Sequence, residues 1–279
     1  MKLKAMLLLP VLLFSSLSHA ERWFEVEFIA FEQQPNPQLR EDFSLSHAEL
    51  KGKNQRDLLT DGFNLYGQKE CLNGKREFPL APLAEQLLSA SNVSRYCPDN
   101  FNYLDSYDPL PLSPAAEPQE HTDAIYLLDS SQLQMQDVVT KLRRKGLKPM
   151  LHTGWRFPEQ SERRAPNMVI YAGKRFAAPS SYEAVSNRVA NAGYQSLLQP
   201  EFGVLQQPEP DLWQLQGLMK IHVRHYLFIT TDFDYRYYNL DGGLESARFS
   251  QFTRVYSGDI HYLDHPKMGM IIQIRKYQH

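Results

Sequence analysis

The sequence predicts an α+β fold: a mostly antiparallel sheet with two amphipathic helices packed on it and a loop-rich, disulfide-stapled insertion. The C-terminal part reads as consecutive strands at 212–223, 226–237, 249–256, 259–263 and 270–277, broken by Gly258 and by Asp264-His265-Pro266. Strands joined by tight turns pair antiparallel. Two helices open on capping boxes, Ser131 with Gln134 and Ser180 with Glu183. Aromatic residues make up 12% of the chain, with 15 Tyr and 15 Phe, which suits strands better than a helix bundle.

The elements follow in chain order. Lys2 and Lys4 precede an apolar run from Ala5 to Leu17, interrupted by Pro10, Ser15 and Ser16, and the run ends at Ser18-His19-Ala20. That layout is a secretory signal peptide, so residues 1–20 are expected to be removed and the mature chain to start at Glu21. The run is too short for a comfortable membrane span. In Arg22 to Glu32, Phe24, Val26, Phe28 and Ala30 alternate on one face, and Trp23, Ile29 and Phe31 add apolar surface to the other. This is a strand, buried on both sides in its second half. Residues 33 to about 59 are polar, with Pro35 and Pro37, and read as loop; 82–91 read as a short helix. Residues 105–121 hold four prolines and read as an extended connector.

After the connector, 124–128 is a strand. A helix follows from Ser131, with Met135, Val138, Val139 and Leu142 at helical spacing. Arg143, Arg144 and Lys145 fill its last turn, where cations favour the dipole, and Gly146 stops it. Strands at 147–157 and 168–172 come next, then the helix from Ser180, ended by Gly193. The expected organisation is therefore a signal peptide at 1–20, then an N-terminal strand with a loop-rich insertion and Pro-rich connector at 21–120. The α+β region at 121–279 is expected to share one sheet with the N-terminal strand.

Cys71 and Cys97 are the two cysteines. An even count in an exported chain favours a disulfide, worth about 3.5 kcal/mol on the chain-entropy model. The alternative is two buried thiols.

A formal charge of -2, from 30 basic and 32 acidic residues, excludes a strongly basic nucleic-acid binder. No Gly-rich phosphate loop, nucleophile elbow or paired C-x-x-C motif is present. His261-Tyr262-Leu263-Asp264-His265 has the H-x-x-D-H spacing of inverted zinc-protease motifs. Those motifs need a helix, and Gly258 and Pro266 make this segment strand-turn-strand. The expected role is a turn, with Asp264 accepting backbone N–H bonds. Asp232 and Asp234 share a strand face as i and i+2, where a pair can do acid-base work or hold Ca²⁺; a solvated strand end is the favoured reading. His222 and His225 fall on opposite faces and do not converge. Aromatic and basic residues interleave at Trp155-Arg156-Phe157 and from Arg248 to Tyr256, a mixture that suits sugars and carboxylates, although aromatics in strands are mostly core and edge arginines mostly prevent aggregation. No cofactor, metal or catalytic residue is expected.

Three stretches resemble the CsiV family of periplasmic proteins from Gram-negative γ-proteobacteria. The first is Arg22-Trp23-Phe24-Glu25-Val26-Glu27, leading into Ile29-Ala30-Phe31-Glu32. The second is the pattern of Leu142, Leu151, His152 and Trp155. The third pairs His225-Tyr226-Leu227 and Thr231-Asp232-Phe233 with the run from Tyr256 through Gly258 and Asp259 to Asp264-His265-Pro266 and on to Gly269. The family tends to place several arginines before the Ser-Gly; here only Arg254 is close. The resemblance implies a non-enzymatic, peptidoglycan-binding accessory protein that activates a class A penicillin-binding protein (type 1A), together with its outer-membrane lipoprotein activator LpoA. It implies a periplasmic location, with no membrane insertion after signal cleavage and no nucleic-acid partner. Trp155, Arg156, Arg248, Arg254, Tyr256 and His261 are the candidate ligand or partner contacts. Trp23, Tyr226, Asp232, Gly258, Asp264, His265 and Pro266 are motif positions expected to be structural. The competing reading is a secreted hydrolase using His261, Asp264 and His265, or Asp232 and Asp234.

Overall fold

The structure is a computed structural model, and it describes residues 22–33, 54–76, 97–176, 212–239 and 241–278. Its elements are β1 (Trp23–Glu32), β2 (Gln55–Arg56), α1 (Leu59–Leu72), β3 (Tyr126–Leu127), α2 (Gln136–Arg144), β4 (Lys148–Pro158), β5 (Asn167–Phe176), β6 (Leu212–Val223), β7 (Leu227–Tyr238), β8 (Leu244–Val255), β9 (Ile260–Asp264) and β10 (Met268–Tyr277). The helices expected at 82–91 and from Ser180 lie outside the described residues.

Two five-stranded sheets form, ordered β3-β4-β1-β10-β9 and β2-β5-β6-β7-β8. All pairs are antiparallel except the short β2–β5 contact. β1 is hydrogen-bonded along its length by β10 on one side and β4 on the other. Its inward residues Phe24, Val26, Phe28 and Ala30 share one core with Ile170, Leu215, Phe233 and Phe249 of the second sheet. The Phe28 and Phe233 rings stack 6.5 Å apart across it. The sheets are thus two layers over a common apolar interior, the standard way to bury one face of each.

The outward face of β1 is covered by α2, whose Val139 and Leu142, with Met135, bury Ile29 and Phe31. The expected capping box is displaced. It forms at Asp129 and Gln132 on a 3-10 turn, Ser130–Gln132, and α2 begins only at Gln136. Its entry is secured from the sheet instead. Glu27 accepts the N–H groups of Gln134 at 2.9 Å and Met135 at 2.6 Å. Glu27 and His152 are fully buried and 2.7 Å apart. Arg275 reaches Glu27 at 3.0 Å and Glu25 at 2.6 Å, and Arg156 reaches Glu25 at 2.9 Å. Two carboxylates on a buried strand face therefore meet cations brought in by both neighbouring strands, as burial of charge requires.

The insertion contains α1, in a region where the sequence shows no amphipathic pattern. Asp57 caps its start, accepting from Leu59 N–H at 2.8 Å and Thr60 N–H at 3.1 Å. Phe63 packs on Tyr171 of the second sheet. Cys71 and Cys97 are joined, with Cα atoms 5.9 Å apart. The connector runs along both sheets: Leu110 N–H donates to Gly173, and His152 N–H donates to Leu112.

Candidate binding surface on the second sheet

Strands β7 and β8 send successive side chains to opposite faces of the sheet. Leu227, Ile229, Phe233 and Tyr235, with Ala247, Phe249 and Val255, point inward and are buried. The opposite parity, Phe228, Thr230 and Asp232 on β7 with Arg248, Ser250, Phe252 and Arg254 on β8, therefore shares the outer face. Most of these residues are polar, and the two phenylalanines are out of phase with the core.

Phe228 and Phe252 stack with centroids 5.5 Å apart and planes 6° apart. His222 from β6 lies against Phe228 at 5.2 Å, nearly parallel. Phe252 remains 64% exposed, while His222 is only 4% exposed. That burial holds the imidazole below its usual pKa, so it is a neutral ring in an aromatic stack.

Beside the stack, Tyr226 and Tyr256 pack edge to face at 6.2 Å, and both are exposed. The Arg254 guanidinium lies 4.7 Å from the Tyr226 ring centre and 5.4 Å from that of Tyr256, and donates to the Tyr256 hydroxyl at 2.9 Å. The Tyr256 backbone N–H donates to His261 Nε2 at 3.1 Å, which ties the tyrosine to β9. A flat apolar ring face next to a held cation suits a sugar that carries an anionic substituent.

The structure sorts the expected contacts. Arg254, Tyr256 and His261 meet at this surface, and Tyr226, expected only as structural, joins them. Trp155 does not: it is 2% exposed and belongs to the core. Arg156 is also interior, paired with Glu25 and lying 3.7 Å over the Tyr277 ring, because β3 and the connector cover that end of the sheet. Trp23 is buried edge-on against His121 at 4.6 Å. Arg248 makes a two-point pair with Asp232, at 2.8 and 2.9 Å. Asp234 is buried and pairs with Arg236 at 3.3 Å, so this carboxylate pair is not a solvated strand end; it lies mid-strand with each member facing an arginine.

The H-x-x-D-H segment is strand, turn and strand. Gly258 has φ +96°, where a side chain would be strained. His265 and Met268 exchange both backbone bonds around Pro266 and Lys267, and His265 Nδ1 accepts from Lys267 N–H at 3.2 Å. Asp264 does not accept the expected backbone N–H groups. Its carboxylate takes the Gln33 amide at 2.5 Å and the Tyr262 hydroxyl at 2.7 Å, because the turn lies against the end of β1. His261, Asp264 and His265 are each held by different partners and do not converge. Among the described residues no group of three or more His, Cys, Asp or Glu is placed to hold a metal ion.

Phe228 and Phe252 were not singled out by sequence reasoning. The available signal was two large aromatics on the polar phase of otherwise alternating strands.

The family model described as "Peptidoglycan-binding protein, CsiV" matches residues 2–277, nearly the whole chain. Comparison with curated proteins and with solved structures finds no match in either.

Proposed function

Because the chain belongs to the CsiV family of peptidoglycan-binding proteins, we propose that it is a non-enzymatic periplasmic protein that holds glycan on the outer face of the second sheet. The observation that carries this reading is the Phe228–Phe252 stack, with Phe252 64% exposed. An aromatic face left in water on a strand costs hydration and is a natural seat for the apolar face of a sugar ring. The finer role is that of an accessory activator of a class A penicillin-binding protein, acting with the lipoprotein LpoA. It is supported by the three stretches of family resemblance. Export with cleavage after Ala20 is supported by the N-terminal layout and by a disulfide, which suits an oxidising compartment.

The test is sedimentation with purified sacculi. The native protein should co-sediment and release no soluble muropeptides. Phe252→Ala should lose roughly tenfold in affinity, as one lost aromatic stack of about 1.4 kcal/mol implies. Its folding stability should change by no more than about 0.5 kcal/mol, as expected for an exposed position. Release of muropeptides would establish the hydrolase instead.

A further inference from the structure

We propose that Arg254 reads a free carboxylate on the peptide stems of peptidoglycan, so that the surface selects peptide-substituted glycan over bare glycan. This rests on the glycan-binding reading of the same surface and deepens it.

Several arginines of the two sheets are neutralised within the fold. Arg248 takes Asp232, Arg236 takes Asp234, and Arg156 and Arg275 take Glu25. Arg254 is different. It is exposed, and among the described residues no carboxylate lies within ion-pair distance of it. Its contacts are two tyrosine rings and one phenol oxygen. A guanidinium has five N–H donors, so most of its fork is unspent. The rings restrain the side chain before any ligand arrives, which lowers the entropy lost on binding.

Position follows from the strand. Arg254 stands two residues beyond Phe252 on the same face of β8, about 7 Å along it. A sugar ring seated on Phe252 therefore brings a substituent at its edge to the guanidinium. In peptidoglycan, alternate sugars carry a short peptide whose side-chain and terminal carboxylates are free. A planar carboxylate is the acceptor that matches an arginine fork at two points. Bare glycan offers the ring face and no such anion.

The experiment compares intact sacculi with glycan strands stripped of their stem peptides by an amidase. The native protein should bind the intact material about tenfold more tightly, the loss of one charge-assisted contact. Arg254→Gln should lose the preference, binding intact sacculi and stripped glycan equally. Phe252→Ala should weaken binding to both. A second measurement needs no variant: soluble disaccharide-peptides with free carboxylates should compete against the native protein, and the same compounds with amidated carboxylates should compete roughly tenfold less well. Equal native binding to intact and stripped glycan, or equal competition by the free and amidated forms, would overturn the assignment to Arg254 while leaving the glycan surface standing. Native protein that binds neither material would overturn both.

Discussion

Glu27 shows how one side chain ties two elements together. Its carboxylate is fully buried on β1, yet it holds the entry of α2 through two backbone N–H groups and is met by His152 and Arg275. Burial pushes its pKa up, but the bonds from His152, Gln134, Met135 and Arg275 outweigh that and hold it below the usual carboxylate range. The folded-state pKa is therefore lower than the unfolded one. The resulting stability is fully present above the unfolded value and is lost as the pH falls through the folded value. Glu27→Ala should cost about 3–5 kcal/mol, because it leaves buried partners without their anion. Urea unfolding would measure this. In Glu27→Gln the part of the acid limb owed to this carboxyl should disappear; an unchanged limb would show that Glu27 does not contribute to it.

At the scale of elements, α1 depends on its surroundings more than on its own residues. Gly62 lies against Pro114 and Leu127, and Gly67 against Tyr103, so closely that a methyl group would collide with either neighbour. Both glycines weaken an isolated helix. The disulfide fixes the helix end to the loop before the 3-10 turn Tyr103–Ser106, across a separation of 26 residues. Removing it should cost about 3.5 kcal/mol if the loop-closure account holds. Thermal unfolding with and without reductant, and of the double variant Cys71→Ser with Cys97→Ser, should show matching drops in midpoint. An unaltered midpoint would mean that packing of Phe63 and Tyr103 alone holds α1 in place.

For the whole molecule, the two outer faces differ. That of the first sheet is largely roofed by α2 and the connector, and that of the second presents Phe252, Arg254 and Tyr256 to solvent. The described contacts begin at Arg22, which pairs with Glu159, and β1 is bonded on both sides from Trp23 onward. Cleavage after Ala20 would leave the whole of β1 in the mature chain. A chain starting at Glu21 should match the exported protein in mass and unfolding midpoint. One starting at Val26 should fail to fold, since it lacks the buried Trp23 and Phe24.

Periodicity along the chain was enough to place most strands, because alternation of side chains is a local property of extended backbone. The strands expected at 212–223, 226–237 and 270–277 are found within two residues of those limits. The cysteine pair was legible from its count and from the signal-like N-terminus. Helix α1 was not: two glycines weaken it as an isolated helix, and what they fit, Tyr103 and Pro114, is distant in the chain. Nor was the fate of Trp155 and Arg156, which have the same composition as a binding patch but lie under β3 and the connector. Glu25 and Glu27 precede the half of the strand expected to be buried on both sides; arginines more than a hundred residues away made their burial possible. What the chain specifies locally is which residues share a face. Which faces are closed, and which aromatic residues stay in water, is set by contacts between segments far apart in sequence, and these exist only once the two sheets have stacked.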